Sequence, residues 1–197
     1  MTRGLTARLF VAADPPPEAC EELAAWARRA VGGSVAPTAG GPARPARVLR
    51  AEALHLTLCF LGSRPVGEIE ALASALGAVA GDACELSVGA PLWLPRRRPR
   101  ALAVEVRDRA GELARLQETV TRALSQAAGW RPQRRGFRAH ITVARMRPGA
   151  ADGVSLLPAT PRLSFTAESI VLYRSWLAQA GATYETIATR DLAPPAV

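Results

Sequence analysis

The chain has 197 residues, 49% of them apolar, which is enough to bury a core and argues against disorder for most of it. Its net charge of +8 favours a polyanionic partner. All 25 basic residues are arginine, so mechanisms that need a lysine nucleophile, a Walker lysine or a lysyl-nucleotide intermediate are excluded.

The abundance of Ala, Gly and Pro beside Arg also fits the codon usage of a GC-rich genome. No stretch approaches the roughly 18 uninterrupted apolar residues of a membrane span, and the N-terminus lacks a basic, then apolar, then cleavable pattern. A cytoplasmic protein that does not enter a membrane is expected. Cys20, Cys59 and Cys84 are odd in number and show no CxxC spacing, so they read as small apolar filler.

In chain order, Ala7 to Ala12 is strand-like. Asp14 follows as a helix N-cap, then prolines suited to a first turn and Leu23, Trp26, Ala27 and Ala30 at helical spacing. Residues 32–45 are rich in Gly, Pro and Ala and read as a loop. A strand over Leu54 to Phe60 ends at Gly62. Ser63 and Pro65 then open a helix with Ile69, Leu72, Leu76 and Val79 on one stripe, closed by Gly81. Glu85 to Ala90 and Ala101 to Val106 read as strands around an arginine-rich turn. A third helix, Gly111 to Ala128, aligns Leu113, Leu116, Val120 and Leu124 and stops at Gly129. Strands over Ala139 to Ala144, Glu168 to Tyr173 and Tyr184 to Ala188 complete an α+β order.

The only two histidines each open a His-x-Thr tripeptide inside matching apolar strands, Leu54 to Phe60 and Ala139 to Arg145. Threonine fills 12 of 197 positions, so its recurrence two residues after both histidines has a chance probability of roughly 0.4%. The echo implies two related halves, each giving one strand to a shared cleft. Strand alternation places His55, Thr57 and Cys59 on one face, and His140, Thr142 and Ala144 on the matching face of the other strand.

A zinc site needs three or four protein ligands, and no such cluster lies near either histidine. Serine-type catalysis lacks a nucleophile elbow. Acid–base chemistry on a phosphodiester fits, because imidazole titrates near pH 6.5 and in-line displacement needs a base and an acid on opposite sides of phosphorus. The threonine hydroxyls and an arginine suit the nonbridging oxygens.

At these residues the chain resembles the two-histidine (2H) phosphoesterase superfamily, most closely the RNA 2′,3′-cyclic phosphodiesterases formerly called 2′-5′ RNA ligases. The likeness rests on Arg8 to Ala12, Leu54 to Gly62, Phe137 to Arg145, Leu172 to Ser175 and Gly181 to Tyr184. It implies one domain over residues 1–197: a bilobal α+β fold with two pseudo-symmetric antiparallel sheets and outer helices around a central cleft. It also implies hydrolysis of an RNA terminal 2′,3′-cyclic phosphate to a 2′-phosphomonoester, without metal or other cofactor. A monomer is expected because nothing in the sequence suggests an interface.

By the same resemblance His55 and His140 are catalytic, while Thr57, Thr142 and Arg145 bind the phosphate. His140 is assigned as base and His55 as acid, with pseudo-symmetry leaving the reverse open. Ala139 stands where relatives commonly have proline. Regular strand parity would turn Arg145 away from His140, so its role requires the strand to end or bulge near Ala144.

Three arginine clusters are candidate RNA contacts or solvated loops: Arg44, Arg47 and Arg50; Arg96 to Arg100; and Arg131, Arg134, Arg135 and Arg138. Trp93, Trp130 and Tyr173 are assigned to core packing over base stacking. The alternative functions are a phosphodiesterase or reversible ligase acting on 2′-5′ linkages, and an RNA-binding module without catalysis.

Overall fold

A computed structural model describes residues 5–32, 46–96, 98–132, 136–146, 157–178 and 181–194. The strands are β1 (Thr6–Ala13), β2 (Ala46–Val48), β3 (Leu56–Pro65), β4 (Cys84–Leu94), β5 (Ala101–Arg107), β6 (His140–Met146), β7 (Ser164–Ala167), β8 (Ser169–Ala178) and β9 (Gly181–Asp191). Three helices accompany them: α1 (Pro17–Gly32), α2 (Ile69–Gly77) and α3 (Glu112–Ala128).

The strand order is β7-β4-β5-β6-β3-β1-β8-β9, with β2 also paired to β6. It divides into two antiparallel halves, β3-β1-β8-β9 and β6-β5-β4-β7. They meet where the two histidine strands touch, through the one pair Leu56↔Ile141. This is the bilobal α+β arrangement expected from the sequence.

The helices cross over between the halves. α1 leaves β1 of the first half and packs against β2 and β6, whereas α3 leaves β5 of the second half and packs on β3 beside α2. The stripe Leu113, Leu116, Val120 and Leu124 is buried as its spacing predicts. Asp108 caps α3 by accepting the backbone N–H groups of Glu112 and Ala114, each at 3.1 Å. Gly129, at φ +58°, closes its other end.

Several predicted boundaries move. β3 runs on through Ser63 and Pro65 because Thr6 to Leu9 pair with Gly62 to Pro65, so α2 starts only at Ile69. Backbone pairing outweighs the local helix-start signal there. β7 carries no strand signal of its own: Ser164 to Ala167 is short and gains its place by pairing with Cys84 to Ser87. Asp14 does not cap α1; its carboxylate accepts a hydrogen bond from the Tyr173 hydroxyl. Residues 147–156, between β6 and β7, lie outside the described residues. The same holds for most of the 32–45 loop.

The seam depends on apolar packing. Leu56 and Ile141 are fully buried and belong to the single core cluster that both halves share. Ile141→Ala should therefore cost about 3 kcal/mol in urea unfolding, within the usual range for a buried branched side chain. A loss under about 1 kcal/mol would mean that the seam is not closely packed.

Candidate functional site

The seam brings the two His-x-Thr segments together. Counting one residue outward from Leu56↔Ile141 sets His55 across from Thr142 and Thr57 across from His140. All four side chains take the face opposite the buried Leu56 and Ile141 and are only partly covered. The two halves thus present the same groups head to tail.

Each imidazole is oriented the same way. His55 Nδ1 donates to the Ala53 carbonyl at 3.0 Å, and His140 Nδ1 donates to the Arg138 carbonyl at 2.7 Å. A carbonyl only accepts, so the hydrogen of the neutral ring sits on Nδ1 and the lone pair on Nε2. Both rings therefore offer Nε2 for proton transfer.

The strands are not regular, which corrects the predicted alternation. In β6 the pairing shifts from Leu102↔Ala144 to Ala103↔Thr142, leaving Val143 as an extra residue. Val143 and Ala144 are both fully buried, and Arg145 is exposed. The bulge returns Arg145 to the face of His140 and Thr142. Its charge helps to lower the pKa of His55, as expected of a guanidinium facing the same cleft.

β3 carries the matching bulge: Val11↔Cys59 is followed by Ala12↔Thr57, and Leu58 is extra. Cys59 accordingly points into the core, with Sγ 3.3 Å from Thr121 Oγ1 on α3, and does not join His55 and Thr57. Ala144 is likewise a core residue. Phe60 takes the place that Arg145 has in the other half. It lies 37% exposed, with the Arg8 guanidinium 4.8 Å above its ring.

The two histidines sit in different surroundings. Phe10 lies 4.8 Å from the His55 ring, and Tyr184 meets it edge-on at 5.1 Å. Burial lowers the His55 pKa to about 4, with smaller contributions from the charges of Arg145 and His140. A cavity of about 520 Å³ adjoins His55 and is lined by Asp14, Cys20, Glu21, Glu52, Tyr173 and Tyr184. A second, about 600 Å³, adjoins His140 and includes Thr57, Phe60, Arg122, Trp130 and Arg138.

Among the described residues, no group of three or more His, Cys, Asp or Glu could hold a metal ion. No helix among them is long and apolar enough to cross a membrane. The three cysteines are buried and unpaired, and burial pushes the Cys20 and Cys84 thiols up to about 11.

The family model of the 2′-5′ RNA ligase superfamily matches residues 15–176. The chain belongs to that superfamily. An Escherichia coli K12 protein named RNA 2′,3′-cyclic phosphodiesterase is 30% identical over 178 residues, covering 90% of this chain and 92% of the relative. A relative of the same name from Aeropyrum pernix is 30% identical over 156 residues, 73% of this chain and 84% of that one. A third, from Geobacillus stearothermophilus, is 35% identical over 148 residues; the match spans 72% of this chain but 46% of that protein. The fold matches crystal structures of E. coli LigT with 3′-AMP (TM-score 0.77, 24% identity, 95% of this chain and 99% of that one) and of a Thermus thermophilus protein (0.78, 23%, 96% and 100%).

The surroundings of the superfamily member's histidines and threonines are only partly legible in the sequence. Phe10, Ala12, Ala101, Ala103 and Val171 are buried without joining the shared core. Ala12 pairs with Thr57 and Ala103 with Thr142, so a small side chain stands beside each threonine. Tyr173, assigned to packing, lines the cavity beside His55, as does Tyr184. Trp130 and Arg138 line the cavity beside His140. Trp93 stays half-buried against the core. Arg44, Arg97, Arg134 and Arg135 lie outside the described residues.

The depressed His55 pKa links to stability. Because the folded protein disfavours the charged ring, the contribution is complete above the unfolded value near 6.5 and is lost as pH falls through about 4. His55→Gln should remove roughly 2–3 kcal/mol of the stability change over that window, measured by urea unfolding at a series of pH values. Identical pH dependence in the variant would mean that His55 is not held neutral.

Proposed function

We propose that this protein hydrolyses RNA terminal 2′,3′-cyclic phosphates to 2′-phosphomonoesters without a metal, using His55 and His140 as the acid–base pair. The observation that carries this reading is the seam: two opposed His-x-Thr strands, each with Nδ1 tied to a carbonyl and Nε2 left for chemistry. The names of the three relatives supply the substrate class.

In this mechanism the cyclic phosphate lies between the imidazoles. Thr57 and Thr142 donate to its nonbridging oxygens, and Arg145 offsets the charge that grows there in the transition state. His140 Nε2 takes a proton from the attacking water. His55 Nε2–H gives one to the departing 3′ oxygen, breaking the P–O3′ bond. Burial disfavours the charged His55 ring in the free protein, and the negative charge of the bound phosphate offsets that cost when the ring takes up its proton. The same displacement can use a 5′ hydroxyl in place of water, breaking P–O3′ and forming a 2′-5′ linkage, in keeping with the ligase name of the superfamily.

The 197 residues are read as one domain of two related halves, acting as a monomer in the cytoplasm. The shared core cluster supports the single domain.

The decisive experiment supplies an RNA oligonucleotide ending in a 2′,3′-cyclic phosphate to the protein in EDTA. A 2′-phosphate product is expected; no turnover, or strict dependence on added metal, would sink the proposal. His55→Ala and His140→Ala should each lower kcat by about two to four orders of magnitude, with a bell-shaped pH profile in the unmodified protein. Unchanged turnover in either variant would remove that histidine from the mechanism. Arg145→Ala should raise KM about tenfold and lower kcat as well, as loss of one charge-assisted contact predicts. An unchanged kcat/KM would return Arg145 to the solvated surface.

A further inference from the structure

The geometry points to a division of the cleft in which the cavity beside His55 holds the 3′-terminal nucleobase, and the Asp14 carboxylate selects bases that present an amino group. This inference rests on the cyclic phosphodiesterase reading, because that reaction fixes which side of phosphorus carries the nucleoside. In-line attack puts water and the 3′ oxygen on opposite sides. The 3′ oxygen stays on the ribose after the P–O3′ bond breaks, so the nucleoside stays on the side of the acid, His55.

The cavity on that side suits a base and not a phosphate. Its volume of about 520 Å³ falls in the range of small-ligand sites. Tyr173 and Tyr184 supply aromatic surface, with Phe10 stacked on Tyr173 at 5.2 Å to stiffen the wall. Base–aromatic stacking needs no particular sequence and is the usual means of holding an unpaired RNA base. The charged residues lining it, Asp14, Glu21 and Glu52, are all acidic and repel phosphate. The cavity beside His140 has the opposite balance, with Arg122 and Arg138 against Glu118, and lies on the side of the attacking water, so it does not compete for the base.

Asp14 is placed to read the base. Tyr173 fixes its carboxylate by donating to Oδ2. A carboxylate has about four acceptor sites, so capacity remains for a donor on the ligand. Adenine, cytosine and guanine present an exocyclic amino group. Uracil presents carbonyl oxygens on either side of its one N–H, and these would face the carboxylate unfavourably.

The test measures kcat/KM for the four nucleoside 2′,3′-cyclic monophosphates, together with calorimetric binding of the four nucleoside 2′-monophosphates and of inorganic phosphate. Adenosine, cytidine and guanosine should exceed uridine by about tenfold, the usual effect of one hydrogen bond to a charged group. Asp14→Asn can keep the Tyr173 bond while presenting an N–H, and should bring uridine level with the others or ahead of them. Tyr184→Ala should weaken nucleoside 2′-monophosphate binding about tenfold and leave inorganic phosphate binding unchanged; it carries the test if Asp14→Asn does not fold. A wild-type protein indifferent to the base, an Asp14→Asn variant with the wild-type ratio, or equal binding by Tyr184→Ala would each overturn the inference. Base-selective binding with no hydrolysis of any cyclic phosphate would overturn the phosphodiesterase reading and leave the nucleobase site standing.

Discussion

The single backbone pair Leu56↔Ile141 is the constraint on which the rest of the structure depends. Beyond it the edge of β6 is taken by β2, which pairs with Ala144 to Met146, while β3 continues against β1. The pair lies between the two residues that carry imidazoles, so the two rings straddle the junction. The missing pairing is replaced from behind. α1 of the first half backs β6 of the second, and α3 of the second backs β3 of the first. Neither half completes its own core, and the junction is held by apolar packing more than by ladder hydrogen bonds.

The duplicated bulges are the second device. A strand with period two cannot put a histidine and a residue five positions later on one face. One extra residue after each threonine makes that possible, and it delivers Arg145 in one half and Phe60 in the other. The symmetry of the backbone is thereby filled with asymmetric chemistry: a cation beside one threonine and an aromatic ring, with Arg8 above it, beside the other. The same contrast extends outward, to an acidic aromatic cavity beyond His55 and a more basic one beyond His140. A symmetric scaffold thus carries two chemically different ends.

The elements legible in the sequence are those set by local pattern. The apolar stripe of α3, the glycine that ends it and the two His-x-Thr strands all follow from spacing within about 20 residues. What is not legible depends on distant partners. The bulges at Leu58 and Val143 exist only relative to β1 and β5, so strict alternation misplaces Cys59, Ala144 and Phe60. Ser63 to Pro65 are drawn into β3 by the pairing of Thr6 to Leu9. Tyr173 and Tyr184 lie far in sequence from either histidine and reach His55 only because β8 pairs with β1 and β9 with β8. Asp14 reads as a helix cap because its local context is that of one; its actual partner is 159 residues away.

The carbonyls of Ala53 and Arg138 that hold the two Nδ1 atoms lie two residues before their own histidines. Many acid–base sites orient an imidazole with a carboxylate from elsewhere in the chain, and a copied fragment would then lose its orienter. Here the tautomer travels with the strand. A duplication of this segment transmits a usable imidazole in one step, already facing outward, and needs only a second copy across from it to become a proton donor and acceptor. On that view the twofold likeness of the halves is a trace of how such a centre can be inherited as a unit, with specificity for the ligand's two ends added later by residues outside the repeated tripeptide.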